Sequence, residues 1–291
     1  MVRLRLGRVA LLSGSLLWVA VANIGPLIEM ARISLLDTYP GAPGSESRLS
    51  LDHYTSFLTT AAYYRPFLRS LAYAAATTVV ALFVSYPLAY AIAIRTPRRL
   101  RIRRLLLLVA PFWTSEIVRL FAIMLLLANR GAVNAVLGWV GIEASLPLLY
   151  SPISVVLGML YVTQLAMLLP IYAALERLPR ELVDAAATLG AGPWQRLLRV
   201  TLPLTREGIV SGCALVFLIS LGSLAAPALL GGAETTVFAM TINSLFASSA
   251  GRWPVGCAFG LILLVGGLTV AGLLIWLVSP RVFNFGEQSR A

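Results

Sequence analysis

Six stretches of this chain, at about 9–31, 67–94, 105–128, 152–175, 207–230 and 254–278, are apolar over lengths that leave few folding options. A helix needs about 20 such residues to cross a hydrocarbon core of about 30 Å. In lipid every backbone polar group must be satisfied within the chain, so successive apolar runs of this length predict spanning helices rather than loops or open sheet. Of the 291 residues, 59% are hydrophobic and only 12% charged, against about a quarter charged in soluble domains, and the mean hydropathy is +0.86. These values exclude an ordinary soluble globular protein. The fold class expected is an all-α polytopic membrane protein with six transmembrane helices, forming one membrane domain over residues 1–291.

The formal net charge of +11 would suggest nucleic acid in a soluble chain, but here the positions of the charges decide. All 23 basic residues are arginine. A phosphate cradle of the P-loop type requires a lysine, so the chain carries no such ATP site of its own. Sixteen arginines fall on one face of the expected topology, including Arg3, Arg5, Arg8, the six from Arg95 to Arg104, and Arg281 and Arg290 at the far end. Six fall on the opposite face and Arg119 lies within a span. The positive-inside rule then places both termini and the connections between spans two and three and between four and five in the cytoplasm.

The N-terminus, with Arg3, Arg5 and Arg8 before an apolar run and Ala20-Val21-Ala22 after it, has the outline of a secretory leader. The run continues apolar through Leu27 and Ile28, longer than a leader core, so a retained first helix is expected. Residues 33–66, with Pro40, Gly41, Pro43 and Gly44 before an aromatic-rich stretch, are expected to form an ordered extracytoplasmic cap. His53 is the only histidine, which removes histidine-clustered zinc sites and Ser/His or Cys/His catalysis. Cys213 and Cys257 sit in apolar runs and read as small buried hydrophobes.

The connection over 181–203 carries the most information. Leu182, Ala185, Ala186 and Leu189 recur at helical spacing, Gly190 is placed to end that helix, and Pro193 to open a second carrying Trp194, Leu197 and Leu198. Pro203 fits the start of span five, where its missing N–H costs little. Alanines allow a close approach, and Trp194 with the leucines offers apolar area flanked by Arg196 and Arg199. Such a hairpin suits docking to a soluble protein, or lying as an amphipathic unit on anionic membrane lipid.

The segment resembles the signature loop of binding-protein-dependent ABC importer permeases: Glu-Ala-Ala, three residues, Gly, nine residues, then Ile-x-Leu-Pro. Here Asp184-Ala185-Ala186 stand at its start, Gly190 follows at the same spacing, and Val200-Thr201-Leu202-Pro203 close it, with Asp for Glu and Val for Ile. Further stretches, from Leu51 to Ala91, Pro111-Phe112-Trp113-Thr114-Ser115 to Arg119, Gly131 to Asn134, and Leu221 to Gly232, are similar to spermidine/putrescine-type permeases. Together the matches cover about 50–260 in family order. The resemblance implies that Asp184, Ala185, Ala186, Gly190, Val200, Leu202 and Pro203 form a coupling helix seated on an ATPase subunit. It also implies a second permease, giving a heterodimer, two ATPase subunits that bind ATP and Mg²⁺, a periplasmic or extracytoplasmic solute-binding protein, an inner-membrane location and no cofactor or catalysis in this chain. The implied solute is a polyamine, with opines, phosphonates or amino-acid-like compounds as alternatives.

For a passage, charged residues inside spans are the first place to look, because they are costly there and face an interior or water. Glu116 and Arg119, three apart, share a helix face and are expected either to pair structurally or to line the passage with Trp113 and Ser115 nearby. Tyr86 and Tyr90 offer aromatic faces to a cation, or pack in the core. An ion-coupled secondary transporter would need midplane ion ligands or broken helices in inverted repeats, which the sequence does not display. One six-span chain is small for enclosing a passage, which also favours a permease pair.

Overall fold

The computed structural model describes residues 2–39, 48–139, 147–248 and 250–278; the segment 40–47 and the arginines at 281 and 290 lie outside these. α1 (Val2–Ser34) runs for 33 residues, about 50 Å at 1.5 Å per residue. Leu36 and Leu49 then form an isolated antiparallel bridge before α2 (Asp52–Thr59). α3 (Ala61–Tyr90) passes directly into a π-helical turn, Ala91–Arg95. α4 (Arg98–Val109), a 3₁₀ turn at Ala110–Trp113, α5 (Glu116–Leu127) and α6 (Ala132–Trp139) follow. Next come α7 (Pro152–Glu176), α8 (Arg180–Thr188), α9 (Pro193–Arg196) and a second π turn, Leu197–Thr201. The single turn α10 (Leu202–Leu204), α11 (Arg206–Leu221), α12 (Ala225–Leu230), α13 (Phe238–Ser248) and α14 (Trp253–Val278) complete the order.

Among the described residues four helical stretches are long and apolar enough to cross a membrane: Ala61–Arg95, Glu116–Trp139, Pro152–Glu176 and Trp253–Trp276. A fifth arises if Pro193–Leu204 and Arg206–Leu221, bent by 69° at their junction, count as one. Two of the expected spans are therefore interrupted. The run 105–128 tightens into the 3₁₀ turn that holds Pro111 and breaks at Thr114 and Ser115, where the backbone is extended, and its long apolar stretch shifts to Glu116–Trp139. The run 207–230 breaks between α11 and α12, at Gly222 to Leu224. Pro203 does not open span five. It sits in the one-turn α10, and the span resumes at Arg206 after the bend at Thr205.

The chain gathers into two compact units, Met1–Arg65 with Thr241–Leu264, and Pro66–Met240 with Val265–Ala291. In the first, Phe57 and Tyr63 both meet the ring of Phe259 edge to face, at 5.8 and 4.9 Å between centroids. Each such pair adds about 0.5–1.5 kcal/mol to the area it buries. The Ser34 hydroxyl lies 2.8 Å from the Tyr54 hydroxyl, and His53 Nε2 donates to the Leu36 carbonyl at 2.9 Å, tying α2 to the end of α1.

In the second unit α7 is the central element. Its start is fixed by Ser151 and Ser154, which cap each other's backbone N–H groups at 3.3 and 3.1 Å, with Pro152 in the first turn. The Ser154 hydroxyl also donates to the Leu230 carbonyl at 2.7 Å, as does the Tyr150 N–H at 3.1 Å, so the C-terminal end of α12 is satisfied by the start of α7. α11 lies against α7 through Gly208 and Gly212. A Cβ at Gly208 would stand 2.5 Å from the Ala174 Cβ and 2.6 Å from the Pro170 carbonyl, and one at Gly212 would stand 2.9 Å from Met167 Sδ. Two glycines four apart on one helix face let backbones approach this closely, the small-residue packing typical of membrane helices. Around this seam Tyr86, Ile92, Met167, Ile171, Leu175 and Val216 form the buried core.

Candidate functional site

The hairpin over 181–203 forms as its residues dictate. α8 opens with Glu181 in its first turn, favourable to the helix dipole, and ends at Gly190 with φ +82°. The Ala191 N–H donates to the Ala186 carbonyl and the Gly190 N–H to the Ala187 carbonyl, both at 3.0 Å. These two bonds are the Schellman closure, and the positive φ makes glycine the natural residue there. α9 begins at Pro193, and the Gln195 side chain turns back to accept the Gly192 N–H at 3.2 Å.

The hairpin has two faces. Leu197 and Leu202 pack against the core around Ile171 and Leu175. Outward, Leu189 is 87% exposed and Trp194 71%, and Leu182 and Leu198 are exposed as well. Asp184, Ala185, Gly190 and Pro203 are exposed, whereas Ala186, Val200 and Leu202 are half-buried. The two π turns stand at this end of the unit. Each is closed by a buried threonine whose hydroxyl donates five residues back, Thr96 to the Ala91 carbonyl at 3.0 Å and Thr201 to the Arg196 carbonyl at 3.3 Å. Thr205 at the bend is also buried, donating to the Thr201 carbonyl at 2.8 Å.

Two open clefts flank the hairpin. One of about 410 Å³ is lined by Pro170, Arg177, Leu178, Leu204, Glu207 and Ser211, between the end of α7 and the start of α11. A second of about 270 Å³ is lined by Tyr90, Arg95, Pro193, Trp194 and Leu197.

The residues expected along a passage are not gathered into one pocket. Tyr86 is buried in the core with its hydroxyl 3.4 Å from Thr205 Oγ1. Tyr90, four residues on, lines the smaller cleft, where the Arg95 guanidinium stands 6.0 Å from its ring. Trp113 is 81% exposed, and Ser115 precedes α5 without capping it through its side chain. The expected pairing of Glu116 with Arg119 is not what the side chains do. Glu116 is exposed in the first turn of α5, where the helix dipole favours a carboxylate, and the only ion pair among the described residues is Arg32 with Glu29. Arg119 instead lays its guanidinium over Phe112 at 4.7 Å and near Tyr161 at 5.7 Å. Those two rings stack at 6.1 Å, so Arg119 clips the 3₁₀ turn before α5 onto α7. Sequence reasoning missed this clip, the Gly208–Gly212 seam and the buried threonines. The glycine spacing was the one readable signal among them.

Residues 57–284 match the family described as binding-protein-dependent transport system inner membrane component. The chain belongs to this family and is an inner-membrane protein of the ABC importer permease class, with several helices apolar enough to span. It is 33% identical to the spermidine/putrescine transport system permease protein PotB of Escherichia coli over 237 residues, covering 81% of this chain and 84% of the relative. It is likewise 33% identical to PotB of Haemophilus influenzae over 265 residues, covering 91% and 90%. Among solved structures it shares its fold with a bacterial ABC transporter involved in the import of the acidic polysaccharide alginate. The TM-score there is 0.76, with 18% identity and coverage of 96% of this chain and 97% of that one.

Proposed function

We propose that this chain is one of two permeases in an ATP-driven importer for a polyamine such as spermidine or putrescine. In this reading it has six spans with both termini in the cytoplasm, and the hairpin over 181–203 sits on one of two ATPase subunits that carry ATP and Mg²⁺. An extracytoplasmic binding protein delivers the solute. The observation that carries the reading is the hairpin itself. It holds Leu189 and Trp194 out in solvent on a fold that anchors its other face, and an apolar pair so exposed is what a docking partner covers. The 69° bend at Thr205 links the hairpin to α11, so a push on the hairpin reaches the Gly208–Gly212 seam after only a few residues. The polyamine assignment is supported by the PotB relatives at 33% identity, and opines, phosphonates or amino-acid-like solutes are the runner-up.

The test is ATP hydrolysis by the reconstituted complex with its ATPase and binding protein, for wild type, Asp184→Arg and Trp194→Ala. Both positions are exposed, so neither change disturbs the core. The expected outcome is hydrolysis stimulated by spermidine or putrescine in wild type, and stimulation cut at least tenfold in both variants while the complex still assembles. Stimulation by other solutes alone would replace the substrate. Normal coupling in both variants would remove the hairpin from the mechanism.

A further inference from the structure

We propose that α4 holds an anionic phospholipid, with Arg98, Arg99 and Arg103 taking the phosphate and Ile102, Leu106 and Leu107 lying along an acyl chain. Six arginines fall between positions 95 and 104, with no acidic residue from 90 to 115. None of the six has an ion-pair partner among the described residues. The internal hydrogen bonds that exist use two of them on one residue: Arg101 Nε donates to the Thr96 carbonyl at 3.1 Å, and Arg104 Nη1 to Thr96 Oγ1 at 2.6 Å. Arg101 is only 6% exposed, and its Nη2 is buried without an acceptor.

The placement sharpens the argument. The first turn of α4 carries basic residues and no acidic one, at the end where the helix dipole is already positive. Pro97 before it offers no side-chain cap. Like charges crowded onto the positive end of a helix are unfavourable until an anion joins them, and free backbone N–H groups with guanidinium forks suit a phosphate.

The shape of the surface selects among anions. Arg98, Ile102 and Leu106 are spaced four apart on one stripe, and Arg99, Arg103 and Leu107 on the next, all exposed. Each stripe begins with charge and ends, about 12 Å along the axis, in hydrocarbon-like surface: Ile102 is 69% exposed, Leu106 54% and Leu107 66%. A soluble anion would use the first turn alone, and an acidic protein surface would leave the leucines uncovered. A headgroup with its acyl chain covers both, and each arginine near an anionic membrane surface contributes roughly a fivefold gain in binding.

The experiment uses the full complex in nanodiscs, with phosphatidylglycerol or phosphatidylcholine as the probe lipid and its retention read by native mass spectrometry and fluorescent-lipid titration. We expect phosphatidylglycerol to be retained in preference to phosphatidylcholine. The exposed triple change Arg98→Gln, Arg99→Gln and Arg103→Gln should weaken that retention at least tenfold. Ile102→Ser with Leu106→Ser should weaken it while leaving the charge intact, and inorganic phosphate should not displace the lipid. Equal retention by the triple variant overturns the proposal, as does displacement by inorganic phosphate. Loss of the ATPase subunit from the triple variant in lipid-free detergent, with lipid retention unchanged, would assign the arginines to a protein partner instead.

Discussion

Arg119 shows what one side chain does when the element before it is broken. Its charge is spread over the faces of Phe112 and Tyr161, which costs less desolvation than an exposed ion in hydrocarbon and ties three elements together. Cation–π contacts contribute about 0.5–2 kcal/mol according to how dry they are. Phe112→Leu, which keeps the apolar volume and removes the ring, is therefore expected to lower stability by about 1 kcal/mol, read as a lower melting temperature of the purified chain in detergent. Arg119→Met should do the same without adding to the Phe112 change, since both remove one interaction. The sequence offered Glu116 as the natural partner because spacing on a helix is visible in one dimension. A ring brought back by a 3₁₀ turn and another from α7 are not visible that way, and neither is a threonine hydroxyl reaching a carbonyl five residues back. By contrast Gly190 was legible, because the conformational demand it meets is local.

Among the elements, the seam between α11 and α7 depends on the absence of two side chains. A Cβ at Gly212 already stands 2.9 Å from Met167 Sδ and 3.2 Å from the Met167 carbonyl, so a larger side chain must push the helices apart. Gly212→Leu is expected to cost about 1–3 kcal/mol or more, as overpacking does, and to raise protease sensitivity of the purified chain. Gly138→Ala, with nothing within 4 Å of its Cβ and a helical backbone, is the control that should not destabilise. The long helices and the hairpin were readable from apolar periodicity and from their stop and start residues. Pro111 marked its span as open to a kink, but the break after Leu221 and the 69° bend at Thr205 were not readable, because an apolar run reads the same whether its helix is whole or bent.

For the whole molecule, the arginine asymmetry makes a checkable statement of orientation. With Cys213 and Cys257 replaced by serine, a membrane-impermeant maleimide applied to spheroplasts should label Arg252→Cys and leave Arg199→Cys unlabelled until the membrane is opened. The reverse pattern would invert the topology, and labelling of both would reduce the span count by one between them. The class of the chain was legible from composition and one twenty-residue loop; the identity of its solute was not, because no gathered pocket spells it out.

The two π turns carry a consequence for descent. Each holds one residue more than an α turn would need, and the threonine that closes it absorbs that excess locally. An insertion event in a helical ancestor can enter such a turn without rotating anything that follows. A relative one residue shorter at Ala91–Arg95 or Leu197–Thr201 would then keep its downstream packing partners.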